Sequence, residues 1–231
     1  MINGIKFEVC ISNIDDALIA CKYPVDRIEL VSAIEVGGLT PTLETIKYLK
    51  QNINIPICCM DRYRGGNYIY TDLETEIMLG DAKAMLDMGA DAIVFGFLNK
   101  DNSIDIDNTR KMVNLIHSYN REAVFHRAYD CPNDLENTTN IMIDLGVDRV
   151  LTSGQAPFND VLKGAKNIKD INNKYGNKIQ ILFGGGVRTN NIGEIIKISN
   201  IKQIHATSKH EVDGTYRLDE KQLQEFIKKL A

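Results

Sequence analysis

The chain has 231 residues, a formal net charge of −4 and a quarter of its residues charged, a balance that argues against a nucleic-acid binder, which would carry a basic face. No apolar run reaches the length of about 18 residues that crosses a bilayer. No basic-then-apolar leader opens the chain, so neither a membrane span nor a signal peptide is expected.

Short apolar runs alternate with longer amphipathic ones, the pattern of parallel βαβ units. The first strand is expected over 5–10, followed by a helix whose first turn holds Asp15 and Asp16. A second strand over 27–30 leads through Gly37-Gly38-Leu39-Thr40-Pro41 into a helix over 42–51. The third strand spans 55–60, with Pro56 near its start, where a missing donor is tolerated. A polar loop over 61–67 precedes a long helix over 73–88 and a fourth strand over 92–96. A helix over 107–119 and a fifth strand follow, and Asp134 caps the next helix. The sixth strand is 149–152, with a helix over 163–175. The seventh is 179–183, ending in three glycines, and a short helix over 192–198 comes before the eighth strand at 203–206. Asp219 caps the last helix, which runs to Leu230.

Eight such units in one chain of this length are the size of a single-domain (β/α)8 TIM barrel. A doubly wound sheet, the competing α/β architecture, rarely uses eight strands without an inserted domain. Nothing reads as a linker or low-complexity tract, so residues 1–231 form one domain.

The fifth strand ends in Phe125-His126-Arg127-Ala128-Tyr129-Asp130. Three polar groups there make poor core filling, and the C-terminal end of a barrel strand is where sites are built. Glu29, Arg62, His126 and His205 stand at or just past the ends of four different strands, and the barrel would bring them to one mouth. Side chains alternate along a strand, so Glu8 and Cys10 share a face. A ring of mutually satisfied salt bridges is the bland reading; a site is favoured because several unlike ionisable groups at one mouth exceed what stability requires. Gly184-Gly185-Gly186 lies where many barrels bind phosphate through loop amides, or it serves a tight turn. Arg62 and Arg64 beside Gly65-Gly66 form a second candidate anion clamp, or plain surface arginines. Thr152-Ser153-Gly154 offers hydroxyl and amide donors.

The five cysteines (10, 21, 58, 59 and 131) show no CxxC spacing and read as reduced cytoplasmic thiols. One of Cys58 and Cys59 must face the barrel and the other the helices. Cys21 and Cys131 read as structural, His117 and a loop residue His210 as solvent-facing. Thiolate with imidazole would suit Cu(I) or Zn(II), and Cys10 is the metal candidate.

Together, Glu8-Val9-Cys10, 26–30, 37–41, 62–66, 125–130, 149–154 and 184–187 resemble the CutC copper-homeostasis proteins, in the family's order and over nearly the whole chain. The resemblance implies a cytoplasmic TIM barrel, a homodimer or homotetramer, and copper handling through Cu(I) at cysteines. Two positions depart from it. Val31 stands where such proteins commonly carry a cysteine, leaving Cys10, with Cys59 or His126 as substitutes. Asp61 stands in a usually apolar place and is expected to add a carboxylate to the mouth.

The partner is therefore a copper ion or a small anionic molecule. In the second case the protein is an enzyme on a phosphorylated or carboxylated metabolite. Its candidate catalytic set is Glu8, Glu29, Arg62, His126, Arg127, Asp130 and His205, with His126 or Glu29 as general acid/base. Arg62, Arg64, Arg127 and Gly184–Gly186 would then hold the anion, and Asp130 and Ser153 would orient. A scaffold supporting only oligomer contacts is the third reading.

Overall fold

In the computed structural model, which describes residues 1–157 and 159–231, eight parallel strands close in sequence order β1 to β8. They are β1 Lys6–Ile11, β2 Arg27–Leu30, β3 Ile57–Met60, β4 Ala92–Phe95, β5 Glu122–Phe125, β6 Arg149–Thr152, β7 Gln180–Phe183 and β8 Gln203–Ala206. Alternating with them are α1 Ile14–Ala20, α2 Leu43–Asn52, α3 Asp72–Asp87, α4 Ile106–Ser118, α5 Leu135–Asp144, α6 Val161–Tyr175, α7 Ile192–Ser199 and α8 Glu220–Leu230. The (β/α)8 barrel expected from the alternation is therefore present, with β8 paired back onto β1 through Glu8 opposite His205. Among the described residues no helix is long and apolar enough to cross a membrane.

The helices start where short polar side chains satisfy free amides. Asn13, Thr42, Asp105, Asp134 and Asp219 each accept from an amide in the first turn of their helix, and Thr71 and Glu74 form a reciprocal capping box on α3. One strand face, with Phe7, Val9, Ile28, Cys59 and Ile93, packs against these helices in the main apolar core. The other face fills the barrel.

That inner face is polar at its lower level. Arg27 Nε donates to Glu8 Oε2 at 2.6 Å and its Nη2 to Gln203 Oε1 at 2.7 Å. Gln203 donates to Gln180, Gln180 to Glu122, and Arg149 to both Glu122 (2.7 Å) and Cys58 Sγ (3.5 Å). The Cys58 thiol reaches Glu8 Oε2 at 3.8 Å and closes the ring. The ring of satisfied polar groups anticipated as the bland reading thus exists, one layer beneath the mouth. An apolar layer of Val31, Met60, Val94 and Val124 lies in the same interior with Cys10.

One element lies outside the expected pattern. Between β8 and α8 an antiparallel hairpin, β9 Lys209–Val212 and β10 Thr215–Leu218, turns at Asp213-Gly214, both with positive φ (48° and 74°). Asp-Gly is a favoured two-residue hairpin turn because glycine accepts that conformation at no steric cost. His210, placed in a loop by the sequence, is an exposed strand residue.

Candidate functional site

A cavity of about 570 Å³ opens at the C-terminal end of the strands. Cys10, Glu29, Arg62, His126, Arg127 and His205 all line it, as do Gly185 and Gly186. These residues stand at or just past the ends of six strands, and barrel closure brings them together.

The innermost group is a cluster of three. The Cys10 thiol, a Glu29 carboxylate oxygen and a His205 ring nitrogen lie within 4.8 Å of one another, and all three residues are buried. Their order comes from below. Glu8 Oε1 holds His205 Nδ1 at 2.8 Å, leaving Nε2 toward Glu29 Oε2 at 3.7 Å. Burial opposes ionisation of Glu8, but Arg27 and the hydrogen bond from His205 outweigh it and keep that carboxyl far below the ordinary range. For His205, burial is likewise outweighed by Glu29 and Glu8, which raise the imidazole above its usual value. Burial pushes the Glu29 carboxyl up, and burial next to Glu29 pushes the Cys10 thiol well up. Glu8 itself does not line the cavity; it is the buried anion that orients the imidazole.

The outer wall is cationic. Arg127 is carried on a 3-10 turn (Arg127–Asp130) and braced by Asp130 at 3.1 Å and by the Ser153 hydroxyl at 2.8 Å. Asp130 is enclosed behind it, accepting from the Thr152 hydroxyl (2.5 Å) and from the amide (2.9 Å) and hydroxyl of Ser153. Asp130 and Ser153 thus stand one layer back from the cavity. Gly185 adopts φ +90°, and a Cβ there would meet the Arg127 guanidinium at 3.1 Å. A Cβ on Gly184 would meet Leu151 Cδ1 at 2.6 Å and His205 Cβ at 3.1 Å. This glycine run therefore lets the backbone pack closely against two site residues.

Other expectations are corrected. Arg64 does not line the cavity: its guanidinium bonds Glu74 at 2.7 Å and the Ile69 carbonyl at 2.7 Å, tying the β3–α3 loop to α3. Arg62 lines the cavity, but its two Nη groups donate to the carbonyls of Val36, Gly38 and Gly66, which staples two loops together. Asp61 is not at the mouth. It continues the outward register of Ile57 and Cys59, is 0 % exposed, and neither oxygen has a hydrogen-bond partner among the described residues. Burial pushes its carboxyl well above the ordinary aspartate value of 3.8, with Asp81 adding to the shift. Cys59 faces the helices with it and cannot stand in for a mouth thiol, whereas Cys58 faces inward, its thiol raised by burial to about 12. Cys131 is exposed.

Sequence reading missed Tyr68, Met60, Arg188 and Lys209, which also line the cavity. Arg188, two residues past the glycine run, and Lys209, one residue into the unforeseen hairpin, were within reach of a search for cations near strand ends.

Comparison with known proteins places these residues in context. The model of the CutC family matches residues 5–210. A family protein CutC of Treponema denticola is 40 % identical over 202 residues, 87 % of this chain and 80 % of that protein. The human copper homeostasis protein cutC homolog is 33 % identical over 212 residues, 92 % of this chain and 76 % of its own length. The crystal structure of CutC from Streptococcus agalactiae superposes with a TM-score of 0.81 at 32 % identity, covering 87 % of this chain and 97 % of that one.

Proposed function

The chain belongs to the CutC family, and from that premise we propose that it serves copper homeostasis by holding Cu(I) at Cys10 and His205, with Glu29 beside them. The observation that carries the reading is the convergence of those three donor atoms within 4.8 Å at the floor of the cavity. Thiolate and imidazole are soft to borderline donors suited to Cu(I). The Glu8–His205 hydrogen bond supplies the outer-shell carboxylate that orients a ligating imidazole. Met60 adds a thioether sulfur in the same inner cluster as Cys10. Charge fits as well: with His205 neutral, a monovalent ion replacing the thiol proton leaves the net charge of the buried site unchanged, whereas a divalent ion would add one. Five free thiols suit the reducing cytoplasm.

The test is a competition titration of Cu(I) on reduced protein. Affinity should fall by at least about tenfold in Cys10→Ser, and below the thiol pKa it should rise with pH, by about tenfold per unit where His205 is already neutral and more steeply where the metal also displaces the imidazole proton. Equal affinity in wild type and variant would refute binding at this site.

A second reading is favoured by one further observation. The cavity is far larger than a bare ion needs, and Arg62, Arg127, Arg188 and Lys209 line it against a single carboxylate, Glu29. That balance fits a small anionic metabolite, phosphorylated or carboxylated, held at the outer wall. Calorimetric titration with inorganic phosphate and with oxalate should detect binding that weakens about tenfold or more in the Arg188→Ala, Lys209→Ala double variant and with added salt. Binding unchanged by the double variant would count against it.

A further inference from the structure

Two buried N–H donors with no use inside the protein border the same cavity. Arg62 spends both Nη groups on carbonyls, yet its Nε has no hydrogen-bond partner among the described residues. His126 is 3 % exposed and its Nε2 is equally without one. A buried donor left unpaired is costly, so each of these two on the cavity lining calls for an acceptor.

The protonation of His126 follows from geometry. The amide of Ala128 donates to His126 Nδ1 at 3.2 Å, and an amide can only donate, so Nδ1 is the acceptor nitrogen and the proton of the neutral ring sits on Nε2. Burial, and then the charge of Arg62, bring the imidazole down to about 3, so the ring is neutral at physiological pH. The ring is also fixed in place. A Cβ on Gly96 would meet His126 Cε1 at 2.5 Å, so only glycine allows this packing. Tyr68 packs against His126 at an interplanar angle of 47° with centroids 4.5 Å apart, and it carries the Arg62 guanidinium at 5.1 Å. Arg62, Tyr68 and His126 thus make one continuous wall, from β3, its following loop and β5.

We propose that Arg62 Nε–H and His126 Nε2–H form a two-donor seat, backed by Tyr68, for one oxyanion group of a small organic ligand, a carboxylate or a phosphate. The inference rests on the anionic-ligand reading and sharpens it. His126 is a hydrogen-bond donor, not the general acid/base that its place at a strand end suggested, because a neutral ring with Nδ1 occupied has no free lone pair for a proton. The seat is separate from Cys10 and His205, so copper and an organic anion would occupy different walls of one mouth.

The experiment combines nitrogen-15 NMR of the histidine rings with calorimetry, using inorganic phosphate and oxalate as probes. In the free protein His126 should appear as the Nε2–H tautomer and stay so from pH 5 to 8. Saturation with the preferred anion should move the Nε2–H proton resonance downfield. His126→Leu should weaken binding by about tenfold or more, while His126→Gln, whose amide places a donor near Nε2, should stay within about threefold of wild type. Because Arg62→Lys risks loosening the loops that Arg62 staples, the histidine pair decides the matter. An Nδ1–H tautomer, or a His126→Leu variant that binds either anion as wild type does, overturns the seat while leaving the anionic pocket standing. No binding of phosphate or oxalate to wild type at millimolar concentration overturns both. Phosphate alone or oxalate alone giving the shift assigns the seat to that oxyanion.

Discussion

Asp61→Ile is expected to stabilise the protein by about 2–3 kcal/mol at neutral pH, because it removes a buried carboxyl with no hydrogen-bond partner among the described residues. For a chain of this size that corresponds to a rise in Tm of about 5–10 °C. The site lies between β3 and the helices, where an apolar side chain would join Ile57 and Cys59 in the main core. The effect should depend on pH. The folded carboxyl is raised above the ordinary value of 3.8, so below that value both folded and unfolded chains carry the proton and nothing is lost. As pH rises from there toward the folded pKa, only the unfolded chain releases its proton, and the wild type loses stability. The advantage of the isoleucine variant should therefore widen from pH 4 upward and then level off. Asp61→Asn, which keeps the shape and abolishes the titration, should flatten the pH dependence with a much smaller gain. Urea unfolding of the three proteins at pH 4, 6 and 8 measures this. A wild type whose stability does not fall over that range would show that the carboxyl is paired or hydrated.

Arg27→Met should cost about 3–5 kcal/mol, the usual penalty for stranding one partner of a buried ion pair. Arg27 and Glu8 are each at least nine-tenths buried, and Arg27 also anchors Gln203 in the ring that crosses the barrel floor. Glu8 ionises because of Arg27, and its depressed pKa contributes stability that is present above about pH 4.5 and lost as the solution is acidified through the folded value. The gap between wild type and variant should accordingly narrow in acid. The double variant Arg27→Met, Glu8→Gln should recover part of the loss by removing the stranded charge. If it is no more stable than the single variant, the cost lies in packing instead. The same change should loosen His205, whose Nδ1 rests on Glu8, so it links the stability of the barrel floor to the Cys10, Glu29 and His205 cluster above it.

Much of this was legible beforehand for a simple reason. Apolar runs of four to six residues separated by capped helices leave few architectures open, and a barrel puts every strand end at one mouth. That is why Cys10, Glu29, His126 and His205 were foreseen on separate strands and found around one cavity. The hairpin at 209–218 was also written in the chain, in Asp213-Gly214 between two short runs, but its strands alternate polar residues in the open and carry no apolar signature. Asp61 was misjudged because a polar residue next to a mouth arginine looks functional, although the strand's two-residue period turns it to the opposite face from Arg62.

By itself the sequence determined the number and order of the units, the caps that start the helices and the strand ends that carry chemistry, because each depends on neighbours within a few residues. Only the tertiary structure decided what each polar group is used for. Glu8 became a support for His205, Arg64 a loop tie, Asp130 a brace for Arg127, and Arg62 and His126 were each left with one buried donor that has no partner among the described residues. Those assignments depend on which partners the closed barrel brings within hydrogen-bonding reach from distant parts of the chain, and local sequence holds no record of that.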